Sequence, residues 1–431
     1  MIETPICRDI TPSDTLGCLF PNQPDRPVAH AIDTLGFEHW FYLAQVAHDF
    51  DDQQNRIKIQ ACELKTGIWH TLLDSSLNQE PLQTQEPVQI SGQELVETTC
   101  DIAILDAGDS RKSRLCLKVI TPNLETYFLS IDNLPVGQFS EINVKDHAEC
   151  ASAFYYASCL HCRDRTLLVG REQRSVGHIN RLIDVTAQLS PLDGEIVLDT
   201  DPLNLLDLLE QSKNHAVNHV VSFSGALYVS IEDIQLGCSI WSTSPAAEPI
   251  RWRPIFEQGA ERYAQNMQVF SCVVHRGSLF LVAGTSIDAR YPVSGFFDYQ
   301  GFELLRIDPD DHWELLFGVP RFSVSGLKLP LSALGPSLGD RKAREWLFLH
   351  SQNDHLLMGT SDNEGLQLSF SRNGIDWQHM TRDGFERLDQ VKTCKAIACG
   401  DDDIVLLAEN VDFNLTESIR FVHISNTAFS I

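Results

Sequence analysis

The chain has 431 residues, 43% hydrophobic and 21% charged, and its 33 Lys and Arg against 59 Asp and Glu give a formal net charge of −26. Such a charge repels phosphate backbones and anionic lipid surfaces at long range, which argues against nucleic acid as a partner. A length beyond the usual single core leaves two readings: several domains, or one modest unit repeated about an axis.

The opening stretch MIETPICRDITPSD has no basic segment leading into an apolar core, and no run of about 18 apolar residues is present to span a bilayer. A cytoplasmic protein with no membrane span is therefore expected. Twelve cysteines are scattered, many inside apolar runs such as SCVVH and TCKAIAC, where thiols pack as small hydrophobes. The Cys159-Leu-His-Cys162 pair has redox or metal spacing, but a polar turn and another strand follow it where a thioredoxin site needs a helix.

In chain order, short runs rich in Val, Ile, Leu, Phe and Tyr alternate with Gly, Asp, Asn and Ser almost throughout. FEHWFYLAQVAHDF opens a first group that reaches Trp69 after a Lys-Thr-Gly turn. CDIAILDAGDSRKSRLCLKVI keeps the rhythm without a Trp, and FYYASCLHCRDRTLLVG repeats it. The exception is DPLNLLDLLEQSK, where Asp201 suits an N-cap, Pro202 the first helical position, and Leu203, Leu206 and Leu209 one face.

Three later segments share one order of events: strand, tight turn, strand, loop, glycine-led strand, turn, Trp. Gly237, Gly301 and Gly365 precede Trp252, Trp313 and Trp377, the last two pairs at the same separation. CKAIACGDDDIVLLAENVDFNLTESIRFVHI closes the chain. Four-strand units at a period of about 50 to 60 residues are the pattern of a β-propeller. The expected fold is all-β: a seven-bladed propeller of four-stranded antiparallel blades forming a single domain over 1–431. Its blades fall near 29–90, 91–146, 147–200, 215–258, 264–318, 344–382 and 390–431, with a short helix inserted at 201–213. Ser371-Arg372-Asn373-Gly374 then sits at a hairpin tip, where Asn-Gly suits a type I′ turn, and Trp377 wedges between blades.

The Ser371-Arg372-Asn373-Gly374-Ile375-Asp376-Trp377 run resembles a degenerate Asp-box, the Ser-x-Asp-x-Gly-x-x-Trp hairpin of sialidase-like β-propellers, with Asn373 in place of the acid and the spacing shortened by one. The likeness covers residues 215 to 425 best, and it implies a structural role for the box. The Arg-Ile-Pro motif of sialidases is absent from the sequence. A distant likeness to the propeller of cyanobacterial alkylating enzymes that form cyclophane-type products implies chemistry on an organic substrate.

In a propeller, the loops joining second to third strands and those joining successive blades share one face. Two such segments stand out, Ser286–Gln300 and Gly318–Glu345, both long and rich in apolar residues. Apolar walls with a few charges are what an organic-ligand pocket needs. Candidate catalytic residues are Asp288, Arg290, Arg344, Asp362 and His219: the arginines to hold an anion, and an acid or the histidine as general base. Candidate substrate contacts are Tyr291, Phe296, Phe297, Tyr299, Asn266, Glu345 and Lys392. No cofactor is expected. The acidic runs at His48–Asp52, Asp401–Asp403 and Glu409–Asn414 offer oxygen ligands for calcium but match no EF-hand spacing.

The leading expectation is a small-molecule ligand bound, and transformed by alkylation or cyclisation, in a pocket at the loop-bearing mouth. The alternatives are a non-catalytic scaffold for a protein partner and, after it, a glycan binder or glycoside hydrolase.

Overall fold

A computed structural model describes residues 7–12, 28–49, 54–76, 99–105, 114–120, 126–132, 158–162, 165–174, 177–184, 216–233, 235–243, 251–285, 301–339, 345–362, 365–384, 391–401, 403–411 and 417–425, some of them as backbone alone. Nearly all are antiparallel β-strands joined by short turns. The chain divides into two compact units, one of Met1–Tyr155, Ile397–Ala408 and Ser418–Ile431, the other of Tyr156–Ala396 and Glu409–Glu417.

In the first unit, β1 (Cys7–Asp9) precedes a four-stranded meander of β2 (Val28–Phe37), β3 (Trp40–Asp49), β4 (Gln54–Glu63) and β5 (Ile68–Ser76). A three-stranded meander follows, β6 (Thr99–Leu105), β7 (Arg114–Ile120) and β8 (Thr126–Asp132). In the second unit come β9 (Ser158–Cys162), β10 (Arg165–Arg174) and β11 (Gly177–Asp184), then the four-stranded sheet β12 (Ala216–Phe223), β13 (Ala226–Glu232), β14 (Ser239–Thr243) and β15 (Arg253–Phe256). The next sheet is β16 (Gln268–His275), β17 (Ser278–Gly284), β18 (Glu303–Ile307) and β19 (Trp313–Phe317). A two-stranded ribbon, β20 (Arg321–Ser323) and β21 (Gly326–Lys328), separates it from β22 (Glu345–Gln352), β23 (His355–Asp362), β24 (Gly365–Ser371) and β25 (Gln378–Thr381). Finally β26 (Val391–Cys399), β27 (Asp403–Val411) and β28 (Glu417–Ser425) form a sheet whose outer strand is β1, Cys7 lying opposite Ile424. The expected helix at 201–213 lies outside the described residues.

The repeat is written in the irregularities as well as in the strands. The first strand of three sheets bulges at the same place, between Val217 and His219, between Val269 and Ser271, and between Trp346 and Phe348. A bulge adds one residue and sharpens the local twist, so a matched set bends each first strand alike. Gly237, Gly301 and Gly365, read from the sequence as strand openers, all have positive φ (93°, 78° and 115°).

A small sheet with apolar residues on both faces is stable only when both are covered. The β2–β5 sheet buries Tyr42, Ala44, Val46 and Ile57 with Cys100, Ile102, Leu115 and Leu117 of β6 and β7. Its other face buries Phe41, Leu43 and Cys62 with Val405, Leu407 and Phe421. The β16–β19 sheet does the same: Leu279, Leu281 and Leu305 meet Tyr228, Ile240 and Phe256, while Phe280, Leu304 and Phe317 meet Leu349, Leu356 and Met358. Phe270 of β16 stacks flat on Trp346 of β22, ring centroids 5.2 Å apart. The six cysteines whose side chains are described are free thiols, five of them buried, and burial pushes Cys62 and Cys238 up to about 12.

The Asp-box-like hairpin is built as expected in purpose and differently in turn type. Ser371 Oγ accepts from Gly374 N (2.9 Å), Asn373 Oδ1 accepts from Ile375 N and Asp376 N (2.9 and 3.0 Å), and Trp377 Nε1 donates to Gly374 O (2.9 Å). Only Gly374 has positive φ (74°), so the tip is no type I′ turn. Six residues separate β24 from β25, and such a loop is closed by side-chain caps on its amides rather than by a two-residue turn. Trp377 packs edge-on against Phe317 of the neighbouring sheet, centroids 6.4 Å apart. Of the acidic run Asp401–Asp403, Asp403 begins β27, is buried and pairs with His423 at 2.8 Å, while Asp401 is exposed.

At the hairpin ends, His275 Nε2 donates to Arg372 O (3.1 Å) and Nδ1 meets Ser351 Oγ (2.9 Å), while His355 Nε2 accepts from Arg372 Nε (3.1 Å). Burial pushes both imidazoles below their ordinary value, helped at His355 by Arg372 and at His275 by Arg276, with Asp354 pulling both the other way. The unfolded chain therefore takes up protons first as pH falls, so this stability is full above about pH 6.5 and is lost toward the lower folded values. The urea midpoint is expected to fall between pH 7.5 and 5.5 and to fall less in a His275→Asn, His355→Gln double variant; equal slopes would contradict the reading. Gly374→Ala places a Cβ 2.7 Å from Leu316 Cδ1 at a positive φ and is expected to cost about 1 to 3 kcal/mol in urea denaturation.

Candidate functional site

Strand register brings three connections to one end of the β16–β19 sheet. Gln268 lies opposite Gly284, Ala283 opposite Glu303, and Leu304 opposite Phe317. The segment entering β16, the two flanks of residues 286–300 and the segment leaving β19 therefore meet there. Residues 286–300 themselves lie outside the described residues.

The entering segment contains the α-helical turn found among the described residues, and it winds left-handed: Gln258, Gly259, Ala260 and Glu261 have φ of 53°, 63°, 53° and 69°. For residues other than glycine this conformation costs roughly 1 to 2 kcal/mol each, so neighbouring contacts must hold it. Gly259 N donates to Cys238 O (2.7 Å), Cys238 N to Asn266 O (2.7 Å), and Arg321 Nε to Ala260 O (2.6 Å). Thr285 Oγ1 closes the far side by donating to Gln265 O at 2.9 Å.

At the centre of these connections is Glu303, a fully buried carboxylate. Its Oε1 accepts from Val319 N (2.7 Å) and Arg321 Nη1 (3.0 Å) and lies 3.2 Å from Arg262 Nη1; its Oε2 accepts from Asn266 Nδ2 (2.8 Å). Gly318 is required beside it, since a Cβ there would come within 2.3 Å of Oε1. Asn266 is fully buried and also donates to Gly259 O at 3.0 Å. The side chains of Arg262 and Arg321 are 4% and 8% exposed. Burial lowers the Arg262 pKa, Glu303 pulling it back up and Arg321 adding to the fall. Arg321 also lies 5.7 Å from the Trp313 ring centroid, and Lys328 covers the same ring at 4.5 Å.

Two guanidinium groups thus share one carboxylate. Arg321 Nη2 and Asn266 Oδ1 are buried with no hydrogen-bond partner among the described residues, and Arg262 Nη1 has only its ion-pair contact. The chemistry available is recognition. Glu303 has its oxygens occupied by donors, and guanidinium groups do not release protons at neutral pH.

Of the residues expected from sequence, Asn266 falls in this cluster. His219 Nε2 donates to Val269 O (3.0 Å) and its backbone N to Ser230 Oγ (3.0 Å), which ties it between β13 and β16. Asp362, Glu345 and Lys392 lie on β23, β22 and β26, with side chains outside the described residues. Asp288, Arg290, Tyr291, Phe296, Phe297, Tyr299 and Arg344 also lie outside the described residues. Arg262, Glu303 and Arg321 were not legible as a group, because their partners are scattered over some 60 positions of sequence with no motif spacing.

No protein-family model and no curated protein matches the chain. Among solved structures it is similar to a prolyl endopeptidase (10% identity, 92% of this chain and 50% of that one, TM-score 0.41), so it spans half the length of that protein. It is also similar to a polysaccharide lyase (9%, 92% and 89%, 0.47) and to the β-propeller domain of the Trilobed protease from Pyrococcus furiosus (8%, 91% and 93%, 0.39).

Glu303→Gln leaves two buried guanidinium groups without their counter-charge and is expected to cost about 3 to 5 kcal/mol in chemical denaturation. Glu314→Gln, which breaks the part-exposed pair with Arg306, is expected to cost at most about 1 kcal/mol. Similar losses from the two variants would contradict the central role of Glu303.

Proposed function

We propose that the chain is a seven-bladed β-propeller and that it binds a small organic molecule at the loop-bearing end of the β16–β19 sheet. Four-stranded meanders with both faces buried, matched bulges in their first strands, and β1 completing the sheet of β26–β28 support the propeller. The Ser371–Trp377 hairpin supports kinship with Asp-box propellers. The observation that carries the binding reading is the buried Arg262, Asn266, Glu303 and Arg321 cluster where the connections converge. Buried polar groups are ordinarily paired, and an unpaired one calls for an explanation such as a bound ligand or water. Alkylation or cyclisation of the bound molecule would need a base besides Glu303.

A second reading, docking of a protein partner, is favoured by the β20–β21 ribbon. Phe322, Val324, Leu327, Leu329 and Leu331 are exposed along it and its exit, Phe322 by 78% and Val324 fully. Exposed apolar residues in such a group mark interaction surfaces.

A thermal-shift screen of a metabolite library separates the two. A ligand at 100 times its Kd adds about 2.7 kcal/mol, which raises the melting midpoint by a few degrees. Hits that survive Phe322→Ser and Val324→Ser together support the small-molecule reading. The absence of any hit, with a stable complex lost in that variant, overturns it in favour of the scaffold.

A further inference from the structure

We infer that the ligand of this end is a small organic carboxylic acid with a hydroxyl or amino group beside its carboxylate, held by Arg321 and Arg262 through the carboxylate and by Asn266 through the neighbouring donor. This inference rests on the binding reading above and adds the chemical class.

Two buried groups of the cluster have unmet hydrogen-bonding capacity. The described cluster carries two positive charges against one negative, in a place where Glu303 and Asn266 are fully buried. Glu303 has its four contacts, so it does not complete both guanidinium groups: Arg321 Nη2 still needs an acceptor. A carboxylate meets that need, restores charge balance and matches the planar fork of a guanidinium better than a neutral oxygen does. Asn266 faces the opposite shortage. Its Nδ2 hydrogens go to Glu303 and to Gly259 O, which fixes the amide orientation and leaves Oδ1 as an acceptor lacking a donor. A fully ionised inorganic anion such as sulfate offers no such donor; a hydroxy or amino acid supplies acceptor and donor together.

Entry is through the ribbon. Arg321 opens β20, whose pairing is with β21 alone, and the following Phe322 and Val324 are exposed. A two-stranded ribbon is marginal by itself, so this one is held by the contacts of Arg321 with Glu303 and Ala260 O and of Lys328 with Trp313 O, and a ligand carboxylate must replace the first of these.

Isothermal titration of the full chain with phenyllactate, hydrocinnamate (no hydroxyl) and phenylpropanol (no carboxylate) tests the class. Phenyllactate is expected to bind about ten-fold more tightly than hydrocinnamate, with phenylpropanol weaker still, and Arg321→Lys is expected to weaken phenyllactate about ten-fold while the far-ultraviolet dichroism is unchanged. Equal binding of phenyllactate and phenylpropanol, unaffected by Arg321→Lys, overturns the assignment of a carboxylate and leaves the binding site standing. Failure of all three compounds while a library compound still shifts the midpoint has the same meaning. Should Arg321→Lys lose its folded dichroism, the wild-type ratio of phenyllactate to phenylpropanol decides alone.

Discussion

A carboxylate taken wholly out of water must be surrounded by donors, and Glu303 obtains them from segments far apart in the chain. Val319 N and Arg321 come from the exit of β19, Asn266 and Arg262 from the entry to β16, and Glu303 itself begins β18. One acid therefore pins the connections at this end of the sheet to each other. Its position also explains the glycine at 318, whose missing Cβ is the space that Oε1 occupies.

The left-handed turn at Gln258–Glu261 follows from the same constraint. The left-handed path returns the chain so that Ala260 O receives Arg321 and Asn266 lies under the carboxylate. Conformational cost at three residues other than glycine is offset by amide contacts to Cys238 and by the ion pairs. Strain held by surrounding structure in this way is characteristic of positions where geometry matters more than stability.

The strand order and the role of the Ser371–Trp377 hairpin were legible because both arise from local pattern: alternation within strands, positive-φ glycines before third strands, and a Trp at the start of fourth strands. Trp313 opens β19, and Trp252 and Trp377 lie just before β15 and β25, as the spacing from the glycines anticipated, while Trp69 is the second residue of β5 after the Lys-Thr-Gly turn. The turn type was misread at Asn373-Gly374, since the dipeptide alone does not report that Ser371 and Asn373 cap the loop amides. The candidate site was legible only at Asn266. Arg262 within ERYAQN and Arg321 within PRFSV sit in stretches that read as polar connectors, and nothing local distinguishes a buried arginine from a solvated one. Their burial is a consequence of Glu303, itself an unremarked acid after Gly301-Phe302.

Completion of Arg321 Nη2 and Asn266 Oδ1 by one molecule is the central requirement of carboxylate binding at this end. Crystals grown with phenyllactate and without other carboxylates or phosphate test this directly at high resolution. The expected result is one carboxylate oxygen within hydrogen-bond distance of Arg321 Nη2 and the ligand hydroxyl on Asn266 Oδ1. Water alone at both atoms, with the ligand elsewhere or missing, would contradict it.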